Sequence, residues 1–185
     1  MERHLLVGLS TRAIAESAAK SGDKILTLDH FGDQDQRQLV NNLSLARDCG
    51  LSFSAENLLK ASETLEFDRV TYTSNLENHP EVVAELARRA NLVGNSSETI
   101  GRIRDWNLLR DFCCNKSVKH PVTLLPGEEE QATSDHSWLV KPVKGGGGHH
   151  IHHWDGRPLS DCSILQAYVE GIPFSAAFVA NGRQL

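Results

Sequence analysis

The chain has 185 residues, of which 39% are hydrophobic and 23% charged, and its formal net charge is −5. These proportions are ordinary for a globular protein and exclude wholesale disorder. A negative net charge argues against a general nucleic-acid binder, which needs clustered Lys and Arg to neutralise phosphates. No stretch approaches the ~20 apolar residues of a membrane span, and the four cysteines form no Cys-x-x-Cys pair. We therefore predict a cytoplasmic protein without nucleic-acid or membrane partners.

The first hundred residues alternate between strand-like apolar runs and helical spacing. A strand, a helix and a strand open the chain as a βαβ unit, which implies parallel strands and a right-handed crossover. We therefore predict an α/β domain with a Rossmann-like open parallel sheet over residues 1–105. The predicted strands lie at 5–9, 24–29, 69–73 and 91–94, and helical spacing is found at 36–47, 55–65, 80–87 and 96–104.

Two helix starts carry local signals. Pro80 stands where a helix can begin, because its missing N–H is not needed in the first turn. Asn95, with Glu98 three residues later, predicts a capping box for the helix that begins at Ser96.

The composition changes after residue 105. Residues 106–114 predict a short helix, and the acidic segment 126–135, with its run Glu128–Glu130, predicts a connector or surface loop. Strands are predicted at 137–140, 163–169 and 174–180, with no long helix between them. This pattern predicts a small α+β subdomain with an antiparallel sheet over residues 106–185. The sequence stops just after a strand-to-turn corner at 181–182, which would leave a sheet edge unpaired, so we expect a truncated chain.

A glycine run with flanking lysines is the most informative segment. Gly145, Gly146, Gly147 and Gly148 remove every Cβ from a stretch of backbone, so its amides can point together at an anion. Lys141 before the run, with Lys144 as a second cation, suits the phosphates of a nucleotide. The alternative is a flexible linker between two strands. The lysines precede the glycines, so the segment is not a Walker A loop, and the first turn lacks Gly-x-Gly-x-x-Gly.

Family resemblance extends this interpretation. The segments LVKPVKGGGGHHI and ILQAYVEGIPFSAAFVANG resemble the ATP-grasp superfamily, in which a strand lysine precedes a glycine-rich loop and a hinge strand. The segments HLLVGLSTRAIAESA, YTSNLENHPEVV and LVGNSSETIGRIRD resemble the pre-ATP-grasp domain of the carboxylate–amine ligase branch. The resemblance implies a pre-ATP-grasp domain followed by the first half of an ATP-grasp domain.

The resemblance also implies ATP and Mg²⁺ as cofactors. Lys141 would contact the phosphates, and the glycine run would cover them. Gln166 would lie near the adenine amino group, while Ala167 and Val169 would lie on the hinge whose backbone reads the adenine edge. The magnesium ligands are expected beyond Leu185. The intact protein would then join a carboxylate to an amine through an acylphosphate, and this portion alone is not expected to catalyse the reaction.

Three positions depart from the family pattern. Pro173 stands where some relatives have a ribose-binding acid, Trp106 near where many carry a phosphate-contacting lysine, and His150 in place of a glycine. These departures favour an alternative function, a non-catalytic nucleotide-binding or scaffold module.

Two further groups of polar residues have alternative interpretations. Ser10, Glu77 and Asn78 follow predicted strands at the edge where open α/β sheets bind ligands, so we predict substrate contacts there. The alternative is that they cap the helices that follow. The histidines between His149 and His153 also raise the possibility of a zinc-binding protein. They lack a Cys or an acid at a matching spacing, so we predict no metal ligands and expect them to border the phosphate site or face solvent.

Overall fold

The structure, a computed structural model, describes residues 2–176 and 178. It divides into two compact units, Met1–Val118 with Pro142–His150, and Lys119–Lys141 with Ile151–Leu185. The glycine run therefore belongs to the first unit, although Lys141 before it and Ile151 after it belong to the second. The sequence domains 1–105 and 106–185 stay a prediction about the family's domain organisation.

The first unit is built on a five-stranded parallel sheet. Its strand order is β3-β2-β1-β4-β5, and each adjacent pair is parallel. The Rossmann-like sheet is thus confirmed. The strands are β1 Arg3–Val7, β2 Lys24–Asp29, β3 Asn41–Ser44, β4 Arg69–Tyr72 and β5 Asn91–Leu92.

Six helices connect or follow these strands. They are α1 Arg12–Ala18, α2 Gln34–Leu39, α3 Ala55–Ser62, α4 Pro80–Arg89, α5 Ser97–Arg104 and α6 Trp106–Asn115, and a 3₁₀ turn lies at Leu76–Asn78. Helix α4 begins at Pro80, as predicted. No helix within residues 2–176 and 178 is long and apolar enough to cross a membrane.

The core of the first unit explains why these elements form. Apolar side chains from the strands pack against apolar faces of α3 and α4, and each fully buried one contributes roughly 1.5–3 kcal/mol. Among the side chains with no more than 1% exposure are Leu5, Val7, Leu28, Leu58, Val70, Val83 and Leu86.

The prediction of a helix over residues 36–47 is wrong in its second half. Helix α2 ends at Leu39, and Val40 is already extended at φ −144° and ψ 160°. Strand β3 follows and pairs with β2 in parallel register, with Leu43 opposite Leu28. Its sequence, NNLS, has a single apolar side chain, so backbone pairing rather than a hydrophobic pattern selects the strand.

The prediction of Asn95 as a capping residue is wrong by one position. The residue before α5 is Ser96, whose Oγ accepts a hydrogen bond from the Thr99 N–H at 3.2 Å. The Asn95 carbonyl instead accepts a bond from the Tyr72 hydroxyl at 3.0 Å. A serine is as good a cap as an asparagine, so composition alone could not choose between the neighbours.

The second unit contains a four-stranded sheet in the order β6-β9-β7-β8. The pairs β6–β9 and β7–β8 are antiparallel, so the predicted antiparallel sheet is confirmed. The small hydrophobic core of this unit consists of Leu124, Trp138, Val140, Leu165 and Ala167. The strands are β6 Thr123–Leu124, β7 Trp138–Pro142, β8 His152–His153 and β9 Ser163–Ala167.

Two strand predictions in this unit need correction. Strand β9 ends at Ala167, so residues 168 and 169 lie beyond it. Residues 174–176 and 178 are not in a strand. The rest of the predicted strand 174–180, and the corner at 181–182, lie outside the described residues.

The turn after β1 requires a glycine. A Cβ on Gly8 would lie 2.1 Å from the Thr73 Oγ1 atom and 2.9 Å from the Ser74 carbonyl oxygen. We expect Gly8→Ala to lower the free energy of unfolding by about 2 kcal/mol, since the backbone must shift to relieve this overlap. Urea unfolding followed by circular dichroism measures the change.

Gly101, inside α5, is the matched control. A Cβ there meets no atom within 4 Å, so Gly101→Ala should stabilise the protein by about 0.5–1 kcal/mol through helix propensity. Equal effects of the two substitutions would contradict the steric explanation.

Candidate functional site

Two loops at the carboxyl edge of the parallel sheet are joined to each other. The strand order reverses between β1 and β4, the place where open α/β sheets bind ligands. The loop after β1 donates the Leu9 N–H to the Ser74 carbonyl at 2.7 Å. The Thr73 hydroxyl donates back to the Ser10 carbonyl at 3.1 Å. The two loops are therefore held together at this edge of the sheet.

A buried carboxylate fixes the neighbouring loop after β2. Asp29 is fully buried, and its Oδ2 atom accepts bonds from the Thr11 hydroxyl at 2.7 Å, the Thr11 N–H at 3.2 Å and the Gln36 amide at 3.0 Å. Its Oδ1 atom accepts the Gly32 N–H at 2.9 Å. Because its oxygens are engaged by protein donors, Asp29 organises the loops around the site.

A cleft of about 470 Å³ opens beside these loops, within the first unit. This volume is typical of small-molecule sites. It brings together the predicted residues Glu77, Lys144 and the first three glycines of the run with two of the histidines. Its lining residues are Leu9, Ser74, Asn75, Glu77, Pro142, Lys144, Gly145, Gly146, Gly147, His149 and His150.

The end of the glycine run adopts a conformation that few other residues reach. Gly147 and Gly148 have φ values of 64° and 76°, and His150 has a φ of 61°. Positive φ values of this kind occur in the turns whose successive amides form anion-binding nests. The His149 N–H makes a long bond of 3.4 Å to the Gly146 carbonyl, which closes the turn.

Glu77 and Lys144, which line the cleft, each affect the pKa of another side chain. Burial raises the pKa of the Tyr72 hydroxyl, and the Glu77 carboxylate adds to the increase. The pKa of the Glu56 carboxyl is lowered, mainly by its own backbone N–H and by Ser54, with smaller electrostatic contributions from His79 and Lys144. Glu77 and Lys144 themselves line the cleft, so its lining includes one acidic and one basic side chain.

Asn78 and Ser10, the other predicted substrate contacts, have different environments from Glu77. Asn78 is 2% exposed, and its amide is bonded to Asn75 and Arg104. Ser10 is exposed. Neither serves as a cap, because the residues that precede α1 and α4 are Thr11 and His79.

In the second unit, Lys141 is held by a chain of polar contacts. Its Nζ atom donates to the Gln166 Oε1 atom at 2.5 Å. The Gln166 Nε2 atom donates to the Thr123 hydroxyl at 3.0 Å, which in turn donates to the Pro121 carbonyl at 3.0 Å. These bonds fix the orientation of the Gln166 amide, with its oxygen toward the lysine.

The predicted hinge residues follow directly after β9. The Ala167 N–H donates to the Val122 carbonyl at 2.8 Å, and the Tyr168 N–H to the Ser137 carbonyl at 2.7 Å. Val169 is 64% exposed, and its N–H has no hydrogen-bond partner within the described chain. The backbone donor that remains available on this hinge is therefore that of Val169.

The histidine segment does not form a metal centre within the described residues, where no group of three His, Cys, Asp or Glu is placed to hold an ion. His150 and His152 do not share a strand face, because β8 begins at His152 and His150 is left-handed. The His153 Nδ1 atom instead lies 3.2 Å from the Ser137 hydroxyl.

Sequence reasoning missed Asp29, Arg104 and the backbone contact of Trp106. Asp29 follows the buried run KILTLD, a signal that was available. Arg104, at the end of α5, donates to the Gly145 carbonyl at 2.8 Å, and Trp106 donates its indole N–H to the Val143 carbonyl at 3.4 Å. No sequence pattern predicts the contacts of Arg104 and Trp106, because each joins residues about 40 positions apart.

Comparisons with known proteins agree with this architecture. Residues 106–185 match the family model of an ATP-grasp domain. A search of the curated proteins gave no significant match.

Solved structures share the fold. N5-carboxyaminoimidazole ribonucleotide synthetase from Thermotoga maritima is 16% identical with a TM-score of 0.59, and the alignment covers 92% of this chain and 46% of that one. A biotin carboxylase–β,γ-ATP complex from Campylobacter jejuni is 15% identical with a TM-score of 0.61, covering 92% and 46%. L-amino acid ligase from Bacillus licheniformis is 18% identical with a TM-score of 0.57, covering 90% and 44%.

The chain thus spans a little under half the length of these structures. At such identities the likeness establishes the fold alone. The family model adds that the second part of the chain, residues 106–185, is similar to an ATP-grasp domain.

Proposed function

We propose that the chain supplies the ATP-binding portion of a cytoplasmic ATP-dependent ligase that joins a carboxylate to an amine through an acylphosphate. The observation that carries this proposal is the Lys141–Gln166 pair, which lies within the segment that matches the ATP-grasp domain. A lysine held on a strand by a neutral partner keeps its full charge for an incoming phosphate. A carboxylate partner would neutralise much of it.

The phosphates would be bound by two groups of donors. Lys141 would contribute a compact cation, and the amides of the glycine run would contribute hydrogen bonds without side-chain obstruction. The left-handed φ values at Gly147 and Gly148 support this role. When ATP is bound with Mg²⁺, the ion would neutralise charge on the transferred phosphoryl group. The lysine and the amides would orient the phosphate chain and add to its stabilisation.

The adenine would be read by the hinge backbone. The free N–H of Val169 would donate to the adenine ring, the carbonyl of Ala167 would accept from its amino group, and the Gln166 side chain would lie nearby. The bonds from the Ala167 and Tyr168 amides to neighbouring strands hold this edge in place. The order of donor and acceptor along the edge would favour adenine over guanine.

The carboxylate and amine substrates would enter the cleft beside Glu77. That cleft lies at the strand-order reversal and includes Lys144 and the glycine run. A substrate bound there would meet the phosphate-binding loop directly, as acyl phosphate formation requires.

A second candidate is a non-catalytic nucleotide-binding module. It is favoured by Trp106, which stands near where many relatives carry a phosphate-contacting lysine and which donates its indole N–H to the Val143 carbonyl. A tryptophan there supplies no charge to a phosphate. Pro173 and His150 depart from the family pattern in the same direction.

Nucleotide binding to the full chain tests the proposal. Isothermal titration with MgATP should give saturable binding, and MgGTP should bind at least about tenfold more weakly, because guanine presents a donor to the Val169 N–H and leaves it unpaired. Equal affinities would remove the hinge assignment. The absence of binding to either nucleotide at millimolar concentration would remove the proposal.

Product analysis separates the two candidates. Release of ADP or phosphate that depends on a carboxylate and an amine supports the ligase. Tight MgATP binding with no turnover across a panel of both substrate classes supports the non-catalytic module.

A further inference from the structure

Arg104 joins two segments that line the same cleft. One of its terminal nitrogens donates both to the Asn78 side-chain oxygen and to the Gly145 carbonyl, the latter at 2.8 Å. Asn78 closes the 3₁₀ turn after β4, and Gly145 is the first residue of the glycine run. A single guanidinium therefore spans from the substrate-side turn to the phosphate-side loop.

The substrate-side end of this connection is rigid. Asn78 is 2% exposed, and its amide nitrogen donates to the Asn75 side-chain oxygen. Asn75 and Glu77, on either side of the turn, both line the cleft. A displacement of this turn would thus move the acceptor that anchors Arg104.

The guanidinium is not fully satisfied. The Nε atom of Arg104 is buried and has no hydrogen-bond partner among the described residues. Buried donors are nearly always paired, and an orphan costs free energy. An arginine whose Nε atom is unpaired while one terminal nitrogen holds two acceptors suits a role in positioning better than one in stability.

Trp106 provides an instructive contrast. Its indole N–H reaches the Val143 carbonyl at a long 3.4 Å, and it makes no hydrogen bond to the turn at Leu76–Asn78. Trp106 therefore contacts only the backbone just before the glycine run, whereas Arg104 contacts both the glycine run and the turn.

We propose that Arg104 is a positioning residue that couples the substrate-side turn Leu76–Asn78 to the glycine run, so that order at one segment sets order at the other. Its functional meaning rests on the proposed nucleotide role of the glycine run. Coupling of this kind is reciprocal, so a substrate that orders the turn would strengthen nucleotide binding, and the nucleotide would strengthen substrate binding to the same degree.

The test measures backbone order by ¹⁵N relaxation in the full chain without nucleotide. In the wild-type protein the amides of Gly145 and Gly146 should have order parameters of about 0.8. In Arg104→Met these values should fall below about 0.6. Asn78→Ala should lower them similarly, although Asn78 makes no hydrogen bond to the glycine run. The double variant should show no further loss, as expected for two members of one connection. Trp106→Phe, the matched control, should leave the amides of the turn unchanged.

Two results would overturn the coupling. One is an Asn78→Ala variant whose glycine amides keep wild-type order, and the other is additive losses in the double variant. Melting temperatures identify any variant that fails to fold, and Arg104→Lys, which keeps the charge but not the fork, then serves as the second variant, with an intermediate loss of order expected.

MgATP titration of the same variants links the coupling to function. Arg104→Met and Asn78→Ala should each weaken binding by about tenfold, and together by no more than either alone. If wild-type protein binds no ATP while the order parameters respond as expected, the proposed function fails and the coupling stands. If ATP binds but the order parameters of the glycine amides do not change in Asn78→Ala, this inference alone fails.

Discussion

Replacing Lys141 with alanine is expected to weaken MgATP binding by on the order of 10- to 100-fold. A charge-assisted hydrogen bond to a phosphate contributes about 1.5–3 kcal/mol, and the glycine amides cannot replace a full positive charge. Lys141 makes its bond to a neutral partner, Gln166, so its removal leaves no buried charge uncompensated. Isothermal titration of the full chain measures the change.

Two lysine variants serve as controls for this result. Lys119→Ala removes an exposed cation outside the proposed site and should leave the affinity unchanged. Lys144→Ala should weaken binding only a few-fold, because Lys144 is exposed and its charge is screened by solvent. Wild-type affinity no tighter than that of Lys141→Ala would refute the nucleotide assignment, provided that both proteins melt at similar temperatures.

Replacing Asp29 with alanine is expected to lower the free energy of unfolding by roughly 3–5 kcal/mol. The carboxylate is fully buried and accepts bonds from Thr11, Gly32 and Gln36. Its loss leaves several buried donors unpaired at about 1–3 kcal/mol each, less whatever water recovers. Urea denaturation measures the change.

Asp29→Asn and Asp161→Ala complete this experiment. Asp29→Asn keeps the shape of the side chain but places an NH₂ group among the donors that the carboxylate accepts from. Its loss of unfolding free energy should therefore lie between those of the wild type and Asp29→Ala. Asp161 lies exposed in a turn of the second unit, and its replacement should change stability by less than about 0.5 kcal/mol. An Asp29→Ala cost below 1 kcal/mol would show that the network contributes little.

The sequence predicted most of the first sheet because its strands carry their own signal. The run at Lys24–Asp29 is apolar enough to identify a buried parallel strand, and Arg69–Tyr72 is rich in residues that favour strands. Strand β3 was not predicted because its sequence, NNLS, contains no such run. Its pairing with β2 is seen only in the folded chain. The cap at Ser96 was missed by one residue, since local composition does not fix where a helix turns.

The site was predictable where composition is extreme and unpredictable where geometry decides. Four consecutive glycines identify a special loop in any context, and the structure places three of them on a cleft with Lys144 and Glu77. The contact between Arg104 and Gly145 joins residues 41 positions apart. This contact depends on how α5 and the glycine run pack in the folded chain, and the hydrophobic periodicity of the sequence does not predict that packing.

The discontinuity of the first unit has a practical consequence for dissecting the protein. Its compact body includes Pro142–His150, although residues 119–141 belong to the other unit. A polypeptide cut after Val118 would keep the parallel sheet and Arg104 but lose the Gly145 carbonyl that Arg104 binds. No single break in the polypeptide therefore separates the two units without leaving one of them short of a segment.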